Sequence, residues 1–405
     1  MTIAPTRPTL PRHTASDRPS EAPGRGARGG RSVGSRFFLR FSAVILAGLA
    51  SAGAAGCSTS AGTSAATPAP TFGDPMGWAL DAAGPFHVGY RVASTSYVAP
   101  SGATRTIELH LWYPTLDEDG EHPNYESIIR DPLAISDASL APSAYTGGRY
   151  PVHVFSHGHR GIPQSTPFLM RHFASHGWVV VAPRHVGNTL SDPPERAPSI
   201  YYLRGLDVTA AITALAKLPA TDGLAGKLDT SRVFLSGHSF GTHTVWSSAG
   251  APFDVAAIEA RCKPAGTCTE ADLAAFRAGV HDKRVIAGLA MAGSPLPDWL
   301  GEHPEANVTI PIFYMTGTDD DVGQASFWNR SAPFPLTWVD VEGACHQYYG
   351  IGKCPLIDDA KQVPIAGAFS LAFARKTLLR DTSANTADVL AGKKNDAAVA
   401  TYKTR

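Results

Sequence analysis

Between residues 106 and 379, short apolar runs alternate with segments of helical pattern, and this alternation limits the folds open to the chain. VHVF at 152–155, WVVVAP at 178–183, RVFLSG at 232–237, RVIAGLAM at 284–291, IPIFYMTG at 310–317 and LTWVDVEG at 336–343 are too short for helices of this composition. They fit strands covered on both faces, as in a parallel sheet. TIELHLWYP at 106–114 differs, because Ile107, Leu109, Leu111 and Tyr113 fall on one face, the pattern of a half-buried strand. Helical patterns occupy 166–176, 200–218, 240–248, 271–279 and 365–379. Strands that alternate with helices predict an α/β domain: a mostly parallel central sheet flanked by helices. It is expected over residues 76–381, with a polar tail at 382–405.

In such a sheet ligands gather beyond the carboxyl ends of the strands, so the residues that follow each run carry the functional signal. After 152–155 comes Ser156-His157-Gly158-His159-Arg160-Gly161, and after 232–235 comes Gly237-His238-Ser239-Phe240-Gly241. After 310–315 comes Gly317-Thr318-Asp319-Asp320-Asp321, and after 336–341 comes Gly343-Ala344-Cys345-His346. A Gly-rich loop, then Ser, Asp and His is the chain order of an α/β-hydrolase triad. A serine hydroxyl is a poor nucleophile at neutral pH and needs a base in hydrogen-bond reach, itself oriented by a third group. Ser239 sits in the G-x-S-x-G turn. His346 is the one histidine downstream of Asp320 among the 15 in the chain. The acid is one of Asp319, Asp320 and Asp321; Asp320, third after the strand-end glycine, is favoured.

Attack on an ester builds charge on oxygen, which fixed backbone amides must receive. One is expected from Phe240, the residue after the nucleophile, and one from the Gly158–His159 part of the HGHRG loop. His153, His157 and His159 lack partners at metal-ligand spacing, so no metal is expected. His157 is expected to pack and hydrogen-bond within its own loop. His238 and His243 flank the turn and are expected to pack.

The two ends of the chain carry other information. Lys and Arg total 35, as do Asp and Glu, so the net charge of zero gives no reason to expect nucleic acid as a partner. Residues 25–40 are basic, 41–55 are apolar and uncharged, and Ala54-Ala55-Gly56-Cys57 follows. The pattern is a signal peptide whose end resembles a bacterial lipobox, with Cys57 the lipidated residue. Residues 58–75 read as a flexible tether. An exported protein is expected, held at the membrane through a lipid anchor or secreted. The remaining cysteines, Cys262, Cys268, Cys345 and Cys354, form an even set, which outside the cytosol points to disulfides. Three pairings exist, and closeness in sequence favours Cys262–Cys268 with Cys345–Cys354.

FSHGHRG, LMRHFASHGWVVVAPRHVGNT, LSGHSFGTHT, TGTDDD and GACHQ together resemble the platelet-activating-factor acetylhydrolase and dienelactone-hydrolase-like esterases of bacteria, from about residue 90 to 380. The resemblance implies an α/β-hydrolase fold and cofactor-free, metal-free hydrolysis of a small-molecule or lipid ester. It implies Ser239, Asp320 and His346 as the triad, with His159 and Phe240 as oxyanion donors. The chain departs from dienelactone hydrolases in having serine where they have a cysteine nucleophile. The insertion at 253–283 is expected to form a disulfide-stapled cap, and Gly158, Trp299 and Tyr348 are expected to help bind substrate. Two other readings are a polyester or cutin hydrolase on the same fold, and a catalytically inactive binding lipoprotein.

Overall fold

The structure, a computed structural model, describes residues 72–394 and 399–405. The expected signal peptide, Cys57 and most of the tether lie outside the described residues. Strands β1 (His87–Val98) and β2 (Thr104–Thr115) form an antiparallel hairpin. Strands β3 (Asn124–Tyr125) and β4 (Ile129–Arg130) pair apart from the main sheet. That sheet is completed by β5 (Ile135–Ser136), β6 (Tyr150–Ser156), β7 (Val179–Pro183), β8 (Leu228–His238), β9 (Val285–Met291), β10 (Ile312–Gly317), β11 (Leu336–Val341) and β12 (Val399–Thr404). Its ten strands run in the order β12-β11-β10-β9-β8-β6-β7-β2-β1-β5. The pairings from β7 across to β11 are all parallel. Antiparallel pairs occur where β2 meets β1 and β7, and where β12 meets β11.

Alternate residues of each central strand feed two separate cores, as a period of two requires. Val152, Val233, Leu235, Ile312 and Tyr314 point to one face, where they meet helical residues such as Val208 and Ile212. Phe155, Phe234, Leu289, Phe313 and Met315 point to the other, against Phe173, Phe369 and Phe373. Helix α1 (Pro167–Ser175) crosses from β6 to β7, and α2 (Ile200–Ala216) from β7 to β8. Helix α3 (Gly241–Ser248) leaves β8 directly.

Two expectations are corrected. Strand β2 is buried on both faces from Leu109 to Thr115, not on one. Its second face is covered because Trp112 packs on Tyr90 and Tyr125, with the indole N–H donating to the Tyr125 hydroxyl at 3.0 Å. The polar tail is part of the fold. Residues Ala384–Leu390 are helical, and β12 adds an antiparallel edge to β11. Its exposed edge position and mixed polar sequence hid the strand from hydrophobic patterning.

The insertion at 253–283 forms helices α4 (Val255–Cys262) and α5 (Glu270–Ala278), with the Cys262–Cys268 disulfide tying the end of α4 to the loop that leads into α5. A second disulfide joins Cys345 to Cys354.

Candidate active site

Strand β8 ends at His238 and α3 begins at Gly241, so the chain must reverse in two residues. It does so by placing Ser239 at a φ of +57°, a left-handed conformation that a non-glycine residue adopts only when its surroundings hold it there. The Ser239 N–H donates to the Met291 carbonyl at 2.9 Å, and its carbonyl accepts from Thr242 at 3.0 Å. The bracketing glycines are required by contact rather than by φ. A Cβ on Gly237 would stand 2.2 Å from the Gly241 carbonyl oxygen, and one on Gly241 would stand 2.0 Å from that of Ser156. Gly158 lies so close that an added Cβ would be 3.1 Å from the Ser239 Cβ.

Ser239 opens onto a cavity of about 300 Å³ that His346, Phe240 and His159 also line. The His346 Nδ1–H donates to Asp320 Oδ2 at 2.9 Å, which leaves Nε2 as the ring's free acceptor. The neighbouring aspartates are engaged differently. Asp321 accepts from the Gly323 amide at 3.0 Å, while Asp319 contributes its backbone N–H to the Ala344 carbonyl at 3.0 Å. That last bond, with Gly343 N–H to Thr318 Oγ1 at 2.9 Å, ties the acid loop to the histidine loop. The Cys345–Cys354 bridge closes the histidine loop from its other side. His238, expected only to pack, donates from Nε2 to the His346 carbonyl at 3.0 Å. Burial, then the neighbouring His346, lowers its pKa to about 4, so it holds that carbonyl as a neutral ring.

Neither the Phe240 nor the His159 amide has a hydrogen-bond partner among the described residues. The peptide before His159 has a fixed orientation. Its carbonyl, that of Gly158, accepts from His157 Nδ1–H at 2.8 Å and from the Gly161 N–H at 3.2 Å. In a trans peptide the His159 N–H then points the opposite way. His157 thus hydrogen-bonds within its loop as its position indicated.

A buried polar network supports this loop from behind. Arg204, fully buried on α2, donates to the His157 carbonyl, to Ser156 Oγ at 3.0 Å, to Asn188 Oδ1 at 2.8 Å and to Thr244 Oγ1 at 3.1 Å. Ser156 then passes its O–H to His185 Nε2 at 2.9 Å, and His185 Nδ1–H reaches Asp207 Oδ2 at 2.9 Å. Arg105 closes the chain by gripping both Asp207 oxygens, at 2.7 and 2.8 Å. This second Ser-His-Asp series is sealed, with Ser156, His185 and Asp207 all at 0% exposure, so no substrate reaches it. Its signal was present as Arg204 and Asp207, two charges at i, i+3 inside an otherwise apolar helix.

Other expected contacts do not form. Tyr348 is fully buried and its hydroxyl donates to the Lys361 carbonyl at 2.8 Å, away from the cavity. Trp299 stacks on Tyr201, with ring centroids 3.4 Å apart, and does not line the cavity. Nor does any residue of the 253–283 insertion. The insertion packs behind that stack instead: Phe276 lies 5.8 Å from Trp299 and Arg261 4.7 Å over it. Phe276 also meets Tyr202, with ring centroids 5.1 Å apart, so the insertion's apolar side faces this stack and α2 rather than the strand ends. Among the described residues no group of three or more His, Cys, Asp or Glu is placed to hold a metal ion.

Over residues 126–258 the chain matches the protein-family model described as Chlorophyllase, an α/β-hydrolase-type esterase family. The matched stretch contains the HGHRG loop, α2, the turn at Ser239 and α3, and it ends before Asp320 and His346. The match supports the α/β-hydrolase superfamily and ester hydrolysis of that type. No curated protein matches the chain.

Proposed function

We propose that this chain is a serine hydrolase that cleaves carboxylic esters through an acyl-enzyme. The observation that carries the reading is the strained Ser239, which opens to the same cavity as a histidine whose far nitrogen is held by Asp320 at 2.9 Å. His346 Nε2 takes the Ser239 proton as Oγ attacks the ester carbonyl, and the tetrahedral oxyanion forms against the Phe240 and His159 amides. The Phe240 amide opens α3, whose positive end adds to the field on the oxyanion. His346 then gives its proton to the departing alkoxide, leaving the acyl group on Ser239. A water, deprotonated by the same imidazole, attacks the acyl carbonyl. The second oxyanion collapses, the acid leaves and the Ser239 hydroxyl is restored. Asp320 holds the Nδ1–H tautomer and stabilises the imidazolium in both halves of the cycle.

A cavity of about 300 Å³ lies at the small end of ligand sites and favours a short acyl chain over a long one. Two disulfides support an oxidising location, in keeping with an exported protein anchored through Cys57. Residues 58–405 are expected to turn over p-nitrophenyl acetate, and Ser239→Ala to abolish it. Turnover that survives Ser239→Ala, or a folded wild type with none, contradicts the reading. The second outcome leaves a binding role in its place.

A further inference from the structure

The residues that line the Ser239 cavity include one permanently charged side chain, Arg196, and no carboxylate. Arg196 is exposed and makes neither a hydrogen bond nor an ion pair among the described residues. Five arginines of the domain, Arg91, Arg105, Arg171, Arg184 and Arg284, by contrast each hold a carboxylate within 2.8 Å. Arg196 is positioned all the same. Its guanidinium carbon lies 4.7 Å from the Phe240 ring centroid and 5.5 Å from that of Tyr201. Both rings are buried, at 5% and 4% exposure, so the platform beneath the guanidinium is rigid. Contacts to ring faces fix the guanidinium and leave its N–H edge unsatisfied by protein.

Phe240 ties this cation to the reaction, since its ring carries Arg196 and its amide is the proposed oxyanion donor. A planar fork of donors suits a carboxylate, which it binds through two parallel hydrogen bonds. The empty place opposite Arg196 is therefore on the substrate. We infer that Arg196 selects esters that bear a carboxylate near the scissile bond, an inference that rests on the ester-hydrolase reading above. The carboxylate has two possible sources, the acyl part of a dicarboxylic half-ester or the alcohol part.

The test compares kcat/KM for matched pairs in wild type, Arg196→Lys and Arg196→Gln. The acyl pair is p-nitrophenyl hemiglutarate against p-nitrophenyl valerate. The alcohol pair is 3-acetoxybenzoate against its methyl ester. Each ratio is corrected for the alkaline hydrolysis of the two esters. We expect one pair to favour the anionic member, and Arg196→Gln to lower that ratio by about tenfold, the worth of a charge-assisted hydrogen bond. Arg196→Lys, which keeps the charge but loses the fork, is expected to fall between. The ratio cancels any loss common to both esters, whether from misfolding or from a general effect of the cation on the oxyanion. Ratios equal in wild type and Arg196→Gln in both pairs overturn the inference and leave ester hydrolysis standing. No turnover of any of the four esters by folded wild type overturns both.

Discussion

Gly241→Ala pits two physical effects of opposite sign against each other. Gly241 is the first residue of α3, and within helices alanine is favoured over glycine by about 1 kcal/mol. On that ground alone the substitution stabilises. The new Cβ, however, would stand 2.0 Å from the Ser156 carbonyl oxygen and 2.9 Å from its carbon. Ordinary C···O contacts begin near 3.3 Å, so α3 and the end of β6 must part by about 1 Å. Neither side can give cheaply, because both are backbone. With backbone on both sides the upper end of the about 1–3 kcal/mol overpacking range applies, which leaves a net loss of about 2 kcal/mol after the helix gain. Unfolding entropy of about 2.1 cal/mol/K per residue over roughly 330 described residues turns a net 2 kcal/mol into a Tm fall of roughly 3 °C. Activity is expected to suffer more. Ser156 leads straight into the HGHRG loop, so the shift moves the His159 amide away from Ser239, and a 1 Å misplacement costs about 10²-fold. Calorimetry and p-nitrophenyl acetate kinetics read both quantities. A Tm that rises, with kcat within twofold of wild type, refutes the contact argument.

Other expectations follow from the same geometry. Asp320→Asn leaves the shape intact but replaces the carboxylate that accepts from His346 Nδ1–H with a neutral amide, and kcat is expected to fall by about 10⁴-fold, as in established Ser-His-Asp triads, with Tm little changed. Asp319→Asn and Asp321→Asn are expected to stay within about tenfold of wild type; equal losses at all three positions contradict the assignment. The disulfide Cys345–Cys354 closes a loop with a sequence separation of 9, worth about 3 kcal/mol in the chain-entropy account, and it carries His346. Reduction is expected to lower kcat, and unchanged kcat with both bridges shown open by thiol counting refutes the coupling. Burial lowers the pKa of His110, His176 and His238 to about 4 and of His153 and His243 to about 3. These rings are neutral in the folded chain but bind protons in the unfolded chain below pH 6.5. Stability is therefore expected to be level above pH 7 and to fall as pH drops from 6.5 toward 4, by up to about 1.4 kcal/mol per pH unit for each ring. A Tm that does not fall between pH 7 and 5 contradicts this.

The parallel strands and the loops beyond them were legible because burial on both faces leaves unbroken apolar runs, and each chemistry-bearing residue stood directly after such a run. Ser239, Asp320 and His346 come from different loops, yet each loop announces itself by a strand-end glycine. What the sequence hid were residues whose meaning depends on partners distant in the chain. His238 reads as packing until its ring is seen against the His346 carbonyl, more than a hundred residues on. Arg196 reads as one charge in a polar loop until Phe240 and Tyr201 are placed beneath it. Tyr348 shows the opposite case: an aromatic beside the histidine suggests a substrate contact, yet it belongs to the core. Strand β12 escapes hydrophobic patterning because an edge strand needs no apolar alternation.

Transfer of the acyl group to Ser239 is read by mass spectrometry of the protein after a fluorophosphonate or a slow aryl ester. One adduct is expected, on the peptide that contains Ser239, absent from Ser239→Ala and slowed in Asp320→Asn. An adduct on any other residue, or no adduct on a folded protein that still hydrolyses the ester, contradicts it.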